Sequence, residues 1–326
     1  MDFTLTSDQE ALQEAVRKLC EGRFPMERIR QLSDVGGVDR ALWRELADAG
    51  VFSLRLPEAD GGAGLGTAEA ALVFEELGRA LVPGPLVWTH LAAGVIAGAA
   101  EGERVVGGLA RQEEPFLVEY PEAIDVLLAV DDDGLWEVDR SRLSARPVSW
   151  PLDPLAPAHV AGGLLRGERR GVPGDAVRWR LEGAVLTAAF MLGMATVLTE
   201  RSVEFAKERL QFDRPIGSFQ AIKHLLADMF VRSEVARSAV YAAAVNLDEP
   251  ALGPPGRAVA GAKLLAGEAA TLNAKAATQV HGGMGFTWEV DVHLYLKRAW
   301  VLDTVFGTPE MHADTVAGLL GDAQHR

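Results

Sequence analysis

Two short polar-and-glycine stretches in the last third of the chain have the residue types to hold a phosphorylated ligand. The first reads Glu208-Arg209-Leu210-Gln211-Phe212-Asp213-Arg214-Pro215-Ile216-Gly217-Ser218-Phe219-Gln220, and the second Gln279-Val280-His281-Gly282-Gly283-Met284-Gly285-Phe286-Thr287. A Gly-Gly-x-Gly run after a helix leaves bare backbone amides that can approach a phosphate closely. Arg209 and Gln211, just before a helix break, could reach the same anion. The plainer alternative is an ordinary helix-loop-helix with a solvated arginine. Pro215 has no N–H to donate, so the preceding helix must stop near Gln211. Gly217 then supplies a permissive turn, and Ser218 is the expected N-cap of the next helix. His281 could titrate near neutrality but, inside the glycine run, is expected to order the loop. Its His-Gly-Gly has no Gly-x-Ser-x-Gly elbow to serve. His224 reads as a partly buried helix residue, and Asp228, Asp291 and Asp303 as caps, ion-pair members or solvated faces. The sequence has no HExxH, Walker A or paired-cysteine pattern, so no metal site is expected.

The elements that must position these stretches fall into three parts: residues 1–100 helical, 101–174 a small β-domain, 175–326 helical again. Thr6-Ser7-Asp8-Gln9 reads as a helix start, with Leu12, Val16 and Leu19 on one face. Leu42, Leu46 and Ala49 form a second stripe ending at Gly50. The glycine-rich segment from Leu56 to Gly66 lacks dinucleotide-loop spacing and a βαβ context, so it is read as a turn into a helix from Thr67 to Leu81, ended by Pro83 and Pro85. In the middle, Phe116-Leu117-Val118, Val126 to Val130 and Leu135 to Val138 read as strands, the last two joined by an Asp131-Asp132-Asp133-Gly134 hairpin. Gly162 to Gly174 reads as a linker or edge strand with charged loops. Val185 to Arg209 is expected to be one long buried helix. Phe219, Ile222, Leu226, Met229, Phe230, Ala236, Val240 and Ala243 mark a second, and Val259, Leu264, Leu265, Ala269, Leu272 and Ala276 a third. A last helical segment surrounds Gly307. Alanine-rich stripes favour close packing, so a four-helix bundle is the natural assembly.

With 326 residues, 48% apolar and 24% charged, the chain can bury a sizeable core. A net charge of −14 argues against nucleic acid or an anionic membrane as partner, while leaving room for a local basic pocket. The single cysteine, Cys20, rules out an internal disulfide and is expected to pack on the first helix. The N-terminus shows no signal peptide, and the apolar run Val185 to Leu198 is short for a membrane span, so a cytoplasmic location is expected.

Together, in this order and spacing, the two stretches resemble the C-terminal helical domain of the acyl-CoA dehydrogenases, and the Leu56–Gly66 loop with Glu75-Glu76-Leu77-Gly78-Arg79-Ala80-Leu81 looks like their N-terminal domain. The resemblance implies a mainly α fold with a small middle β-domain and a C-terminal four-helix bundle, and an FAD enzyme that desaturates an acyl-CoA. It implies that Arg209, Gln211, Phe212 and Gln220, with Gln279, Gly282 and Gly283, contact the FAD of a neighbouring subunit, and that Thr308 lies near the cofactor. The Thr-Glu-Pro…Gly-Ser-Asp and Gly-x-Lys…Ile-Thr-Asn segments of the family's middle domain are not found between Leu86 and Gly174. The family's base is a glutamate in Tyr-Glu-Gly-Thr, and here Val305-Phe306-Gly307-Thr308 puts Phe306 at that position. Some members carry the base early in the first bundle helix, where an ungapped count back from Arg209 reaches Gly183. Glu182 is one residue, about 100° of helix rotation, away. No convincing base emerges.

The resemblance therefore carries three readings. The chain is the base-lacking, shortened subunit of a heteromeric acyl-CoA dehydrogenase, completing the FAD site of a full-length partner. Alternatively it is a self-sufficient FAD-dependent acyl-CoA dehydrogenase, with Glu182 as its weak candidate base. Third, it is a helical interaction protein without flavin. Expected partners are an acyl-CoA, from small to branched or steroid side-chain thioesters as in lipid or steroid catabolism, a homo- or hetero-oligomer, and an electron-transfer flavoprotein.

Overall fold

The computed structural model describes residues 4–110, 114–163, 166–171 and 174–323. Five helices come first: α1 (Ser7–Arg23), α2 (Met26–Ser33), α3 (Arg40–Asp48), α4 (Thr67–Arg79) and α5 (Leu86–Ala92). Thr6 opens α1 through a capping box, its Oγ1 accepting from Gln9 N at 3.3 Å while Gln9 Oε1 accepts from Thr6 N at 3.1 Å. Val16 and Cys20 are buried beneath α1, and burial pushes the Cys20 thiol up to about 12, which makes it an inert packing group. In α3 the buried face is Leu42, Trp43, Leu46 and Ala47. Ala49, expected on that stripe, is instead the exposed C-cap, because the helix ends one residue before it.

Nearly all of α4 is buried, glutamates included. Glu75 is paired with Arg237 and accepts from Tyr241 Oη at 2.7 Å, and Glu76 pairs with Arg17 at 2.8 Å. The long helix α6 (Asp175–Glu208) crosses α4 in backbone contact. A Cβ on Gly78 would sit 1.9 Å from Phe190 O, and one on Gly193 would sit 1.9 Å from Glu75 O. Only glycine permits that approach, which is the physical reason for Gly78 in the Glu-Glu-Leu-Gly segment.

The strands between them are β1 (Val106–Leu109), β2 (Phe116–Glu119), β3 (Val126–Val130), β4 (Leu135–Glu137), β5 (Leu143–Pro147), β6 (Ala158–Gly163) and β7 (Glu168–Arg170). They form two sheets, ordered β1-β3-β4-β7 and β2-β6-β5. β1 runs parallel to β3, and the remaining pairings within these two sheets are antiparallel. The aspartate hairpin forms as expected: Asp131 Oδ1 accepts from Asp133 N, Gly134 N and Trp136 Nε1, each at 2.9 Å. The charged segment before α6 supplies the edge strand β7. Of the residues assigned to that segment, 164, 165, 172 and 173 lie outside the described residues.

α6 begins ten residues earlier than its apolar run. By length and composition it could cross a membrane, but the apolar window is 89% buried inside the protein. A two-residue hairpin, β8 (Leu210–Gln211) and β9 (Arg214–Pro215), follows it, and then α7 (Gln220–Asp248), α8 (Gly256–His281), α9 (Val292–Leu302) and α10 (Pro309–Ala323). α6, α7 and α8 pack on one another, with α10 against α8. Asn273 Nδ2 pins the three: Met229 O lies at 2.9 Å, Ser233 Oγ at 3.0 Å and Thr199 Oγ1 at 3.2 Å. The buried face of α7 carries Met229, Ala236, Val240 and Ala243. Phe230, expected on that stripe, is exposed, since one residue is about 100° of rotation from Met229. On α8 the small residues are buried and Leu264, Leu265 and Leu272 only partly so.

Candidate functional site

The end of α6 is set by the hairpin rather than by proline alone. α6 stops at Glu208, and Arg209 is its extended C-cap. The hairpin loop is Phe212-Asp213, with φ +52° and +59°. Two positive φ values in a two-residue loop are the type I′ geometry that suits hairpin twist. For non-glycine residues this conformation is strained and marks a site worth attention. The Phe212 ring is left 86% exposed, and the Arg214 guanidinium stacks over Phe219 at 4.1 Å. Ser218 is not the N-cap expected of it: it lies in a 3₁₀ turn, and Phe219 precedes the first residue of α7, Gln220, with no side-chain cap. Gly217 has no positive φ; its role is close approach, because a Cβ there would meet Ala206 O at 2.9 Å.

α6 and α7 are antiparallel neighbours, as are α7 and α8, so the C-termini of α6 and α8 meet. Phe205 near the end of α6 stacks on His281 at the end of α8, with centroids 4.2 Å apart. His281 Nδ1 bonds Ala277 O at 2.8 Å, and burial lowers its pKa, so the neutral ring orders the loop. Gly282 follows with φ +61° and ψ −141°. A Cβ on Gly282 or Gly283 would meet nothing within 4 Å. Both stretches are thereby brought to one end of the bundle, with Arg209, Gln211, Phe212, Gln220, Gln279, Gly282 and Gly283 all exposed. Among the described residues no carboxylate pairs with Arg209. An unpaired guanidinium at the same end of the bundle as uncovered glycine backbone fits an anion such as a pyrophosphate. His224, expected to be partly buried, is exposed one turn further along α7.

Thr308 does not join this cradle. It accepts from Met311 N at 3.4 Å at the start of α10. That loop is tied to α8 by Lys263, whose buried Nζ donates to Leu302 O at 3.0 Å and Asp303 O at 3.1 Å. Burial lowers the Lys263 amine to about 8. Lys263 and His281 are about 27 Å apart along α8, so Thr308 sits at the other end of the bundle.

That other end holds a cavity of about 190 Å³ between α5, β1, β2, α6, α9 and the loop after α9. Its lining is apolar apart from Thr187, Thr304, Glu119 and Arg298. Arg298 is ion-paired with Glu119 and lies 3.4 Å from Asp153, so the charged groups of the wall neutralise one another. Neither Glu119 nor Arg298 carried a signal in the sequence; one ends a short strand and the other lies in an unremarkable helix. Phe306 also lines this cavity, with φ +56°. A Cβ on Gly183 would lie 2.3 Å from its ring. The two positions at which the resemblance places a base are therefore in contact, and neither has a proton acceptor. Glu182 lies in regular helix and is held by Arg178 at 2.5 Å and Arg55 at 2.6 Å.

Residues 6–103 match the description "Acyl-CoA dehydrogenase, N-terminal domain" and residues 177–320 match "Acyl-CoA dehydrogenase, C-terminal domain". The chain belongs to the acyl-CoA dehydrogenase family. It is 33% identical over 313 residues to acyl-CoA dehydrogenase IpdE2 of Mycolicibacterium smegmatis, covering 94% of this chain and 96% of that one. Against IpdE2 of Mycobacterium tuberculosis it is 36% identical over 314 residues, covering 91% and 92%. Among solved structures, the ChsE4-ChsE5 complex of M. tuberculosis includes a chain with TM-score 0.82 and 25% identity, covering 98% of this chain and 99% of that one. A steroid acyl-CoA dehydrogenase variant, Tcur3481-Tcur3483 G363A, shares the fold at TM-score 0.85 and 24% identity, covering 99% and 100%.

Proposed function

We propose that this chain is the base-lacking subunit of a heteromeric, FAD-dependent acyl-CoA dehydrogenase and lends its exposed cradle to the flavin site of a full-length partner. The observation that carries this reading is the contact between Phe306 and Gly183: desaturation needs a base to take the α-proton, and both positions for it are apolar here. FAD, when bound, accepts the hydride. This chain's part is to hold the cofactor. Arg209 and the Gly282-Gly283 amides receive the pyrophosphate, and Gln211, Phe212, Gln220 and Gln279 flank it. Thr308, at the far end of α8, belongs to the cavity side of the molecule rather than to the cradle.

Exposed Phe212, Phe230, Val231, Val235 and Phe286 at the cradle and along α7 supply an apolar contact face of the kind that marks an interface. Two of the similar structures carry paired-chain names, which supports a two-chain assembly, and one of those names is of a steroid enzyme. A steroid-derived or branched acyl-CoA is accordingly the proposed substrate class, with an electron-transfer flavoprotein as the acceptor and the cytoplasm as the location. A self-sufficient enzyme would need Glu182 free, and it is held by two arginines.

The test is the flavin-to-chain ratio of the protein purified alone, read from its visible spectrum. Little or no flavin in a folded chain is expected. Stoichiometric flavin that bleaches on adding an acyl-CoA would overturn the reading.

A further inference from the structure

The cavity wall contains a fitted aromatic pair. Trp88 of α5 stacks on Phe306, with centroids 4.7 Å apart and planes at 27°. Trp179 of α6 lies behind Trp88 at 6.4 Å. Both members of the pair are buried, Trp88 to 7% and Phe306 to 6% exposure. Each is matched by a glycine. A Cβ on Gly108 of β1 would come within 2.2 Å of the Trp88 indole, as one on Gly183 would within 2.3 Å of Phe306. The loop holds Phe306 inward through two positive φ values, +56° at Phe306 itself and +116° at Gly307. A bulky residue in that region is strained by roughly 1 kcal/mol or more, so the surrounding packing must hold it there.

From this set we infer that Trp88 and Phe306 form an aromatic plug, seated on Gly108 and Gly183, that closes this chain's own acyl-thioester and flavin space. The inference rests on the shared-site reading above. Phe306 stands at one base position and against the other, Gly183, and Trp88 covers it. What remains is about 190 Å³, comparable to the roughly 150 Å³ cavity known to admit a single benzene. A tricyclic flavin ring stacked on a thioester needs several times that. The plug is not a free rotor: Phe306, Trp179 and the β1 backbone at Gly108 all crowd the indole, so opening requires α5 or β1 to move.

The test uses the full chain grown with 5-fluorotryptophan, the Trp88 resonance being assigned by its loss in Trp88→Phe. Hexanoyl-CoA is the probe. The native chain should show no Trp88 shift with it at millimolar thioester. Trp88→Leu and Phe306→Leu, made separately, should each bind hexanoyl-CoA at least tenfold more tightly than the native chain, while Trp88→Phe should not. A Trp88 shift in the native chain overturns the plug, as does a folded pair of leucine variants that bind no better. Should both leucine variants fail to fold, the native resonance decides. The two proposals fail separately. If Arg209→Ala leaves the flavin content of the two-chain complex unchanged while hexanoyl-CoA leaves Trp88 unmoved, the shared site falls and the plug stands. If the chain carries no flavin but hexanoyl-CoA moves Trp88, the plug falls and the shared site stands.

Discussion

The two ends of the helical bundle have opposite characters. At the end where α6 and α8 finish, polar and aromatic side chains stand in solvent over bare glycine backbone, and a two-residue hairpin accepts strained backbone to hold Phe212 outward. At the end where α6 begins, glycines are used the other way: Gly183 and Gly108 are packed against rings, and the ionised groups are paired off. On the proposed shared-site reading, a surface that serves a second chain must keep its side chains free. On that same reading, a site without its chemistry is stable only once its space is filled and its charges neutralised, because empty space and unpaired charge both destabilise a core. Glycine thus leaves backbone accessible in one region and makes room for aromatic packing in the other.

The sharpest way to break this contrast is to return the base. Phe306→Glu should lower stability by about 3–5 kcal/mol, since it removes a buried ring and places a carboxylate in an apolar wall. It should leave acyl-CoA-dependent flavin reduction at background, read together with thermal unfolding. Strong turnover in that variant would mean the buried end is an open active site after all.

At the other end, Arg209→Ala should weaken flavin retention in the two-chain complex by about 1.5–3 kcal/mol, or roughly 10- to 150-fold, the loss expected for a charge-assisted bond. The unfolding midpoint of the isolated chain should hardly move, because Arg209 is exposed. Equal flavin content in mutant and native complexes would remove the arginine from the cradle.

The smallest effect expected is that of acid. Burial holds both His90, on α5, and His312, beside Gly307, at about 4. In the unfolded chain they bind a proton near pH 6.5, in the folded chain only near 4. Stability from their neutral forms is therefore complete above about 6.5 and lost as pH falls toward 4. Amide exchange in α5 and around Gly307 should rise over that window. Protection there that stays flat from pH 7 to 4 would contradict the burial of these rings.

The cradle was legible in the sequence because its parts are contiguous: a helix stop, a proline, and a glycine run each have local signatures. So were α1, α4, β3, β4 and their aspartate hairpin. β1 was not, since Val-Gly-Gly-Leu has too little side chain to show alternation, and its glycines serve Ile124 and Trp88 packed above them. The early start of α6 was masked by Arg178, Arg180 and Glu182, whose charges are satisfied by ion pairs the sequence does not display. Lys263 carried no signal on its alanine-rich helix, yet its buried amine closes the end of α9. The cavity could not be read at all. It draws on α5, four other secondary-structure elements and a loop more than two hundred residues along the chain, and only tertiary packing brings Trp88 to Phe306.

The unbroken 34-residue span of α6 has a mechanical consequence. It works as a ruler: Gly183 and Arg209 are fixed about 39 Å apart and in one angular phase by helix geometry alone. Inserting a single alanine near its midpoint would shift the arginine by about 1.5 Å and swing it through about 100°. Such an insertion would leave both ends chemically intact and aim one of them the wrong way, so the length of this helix is as much a part of the cradle as any residue that lines it.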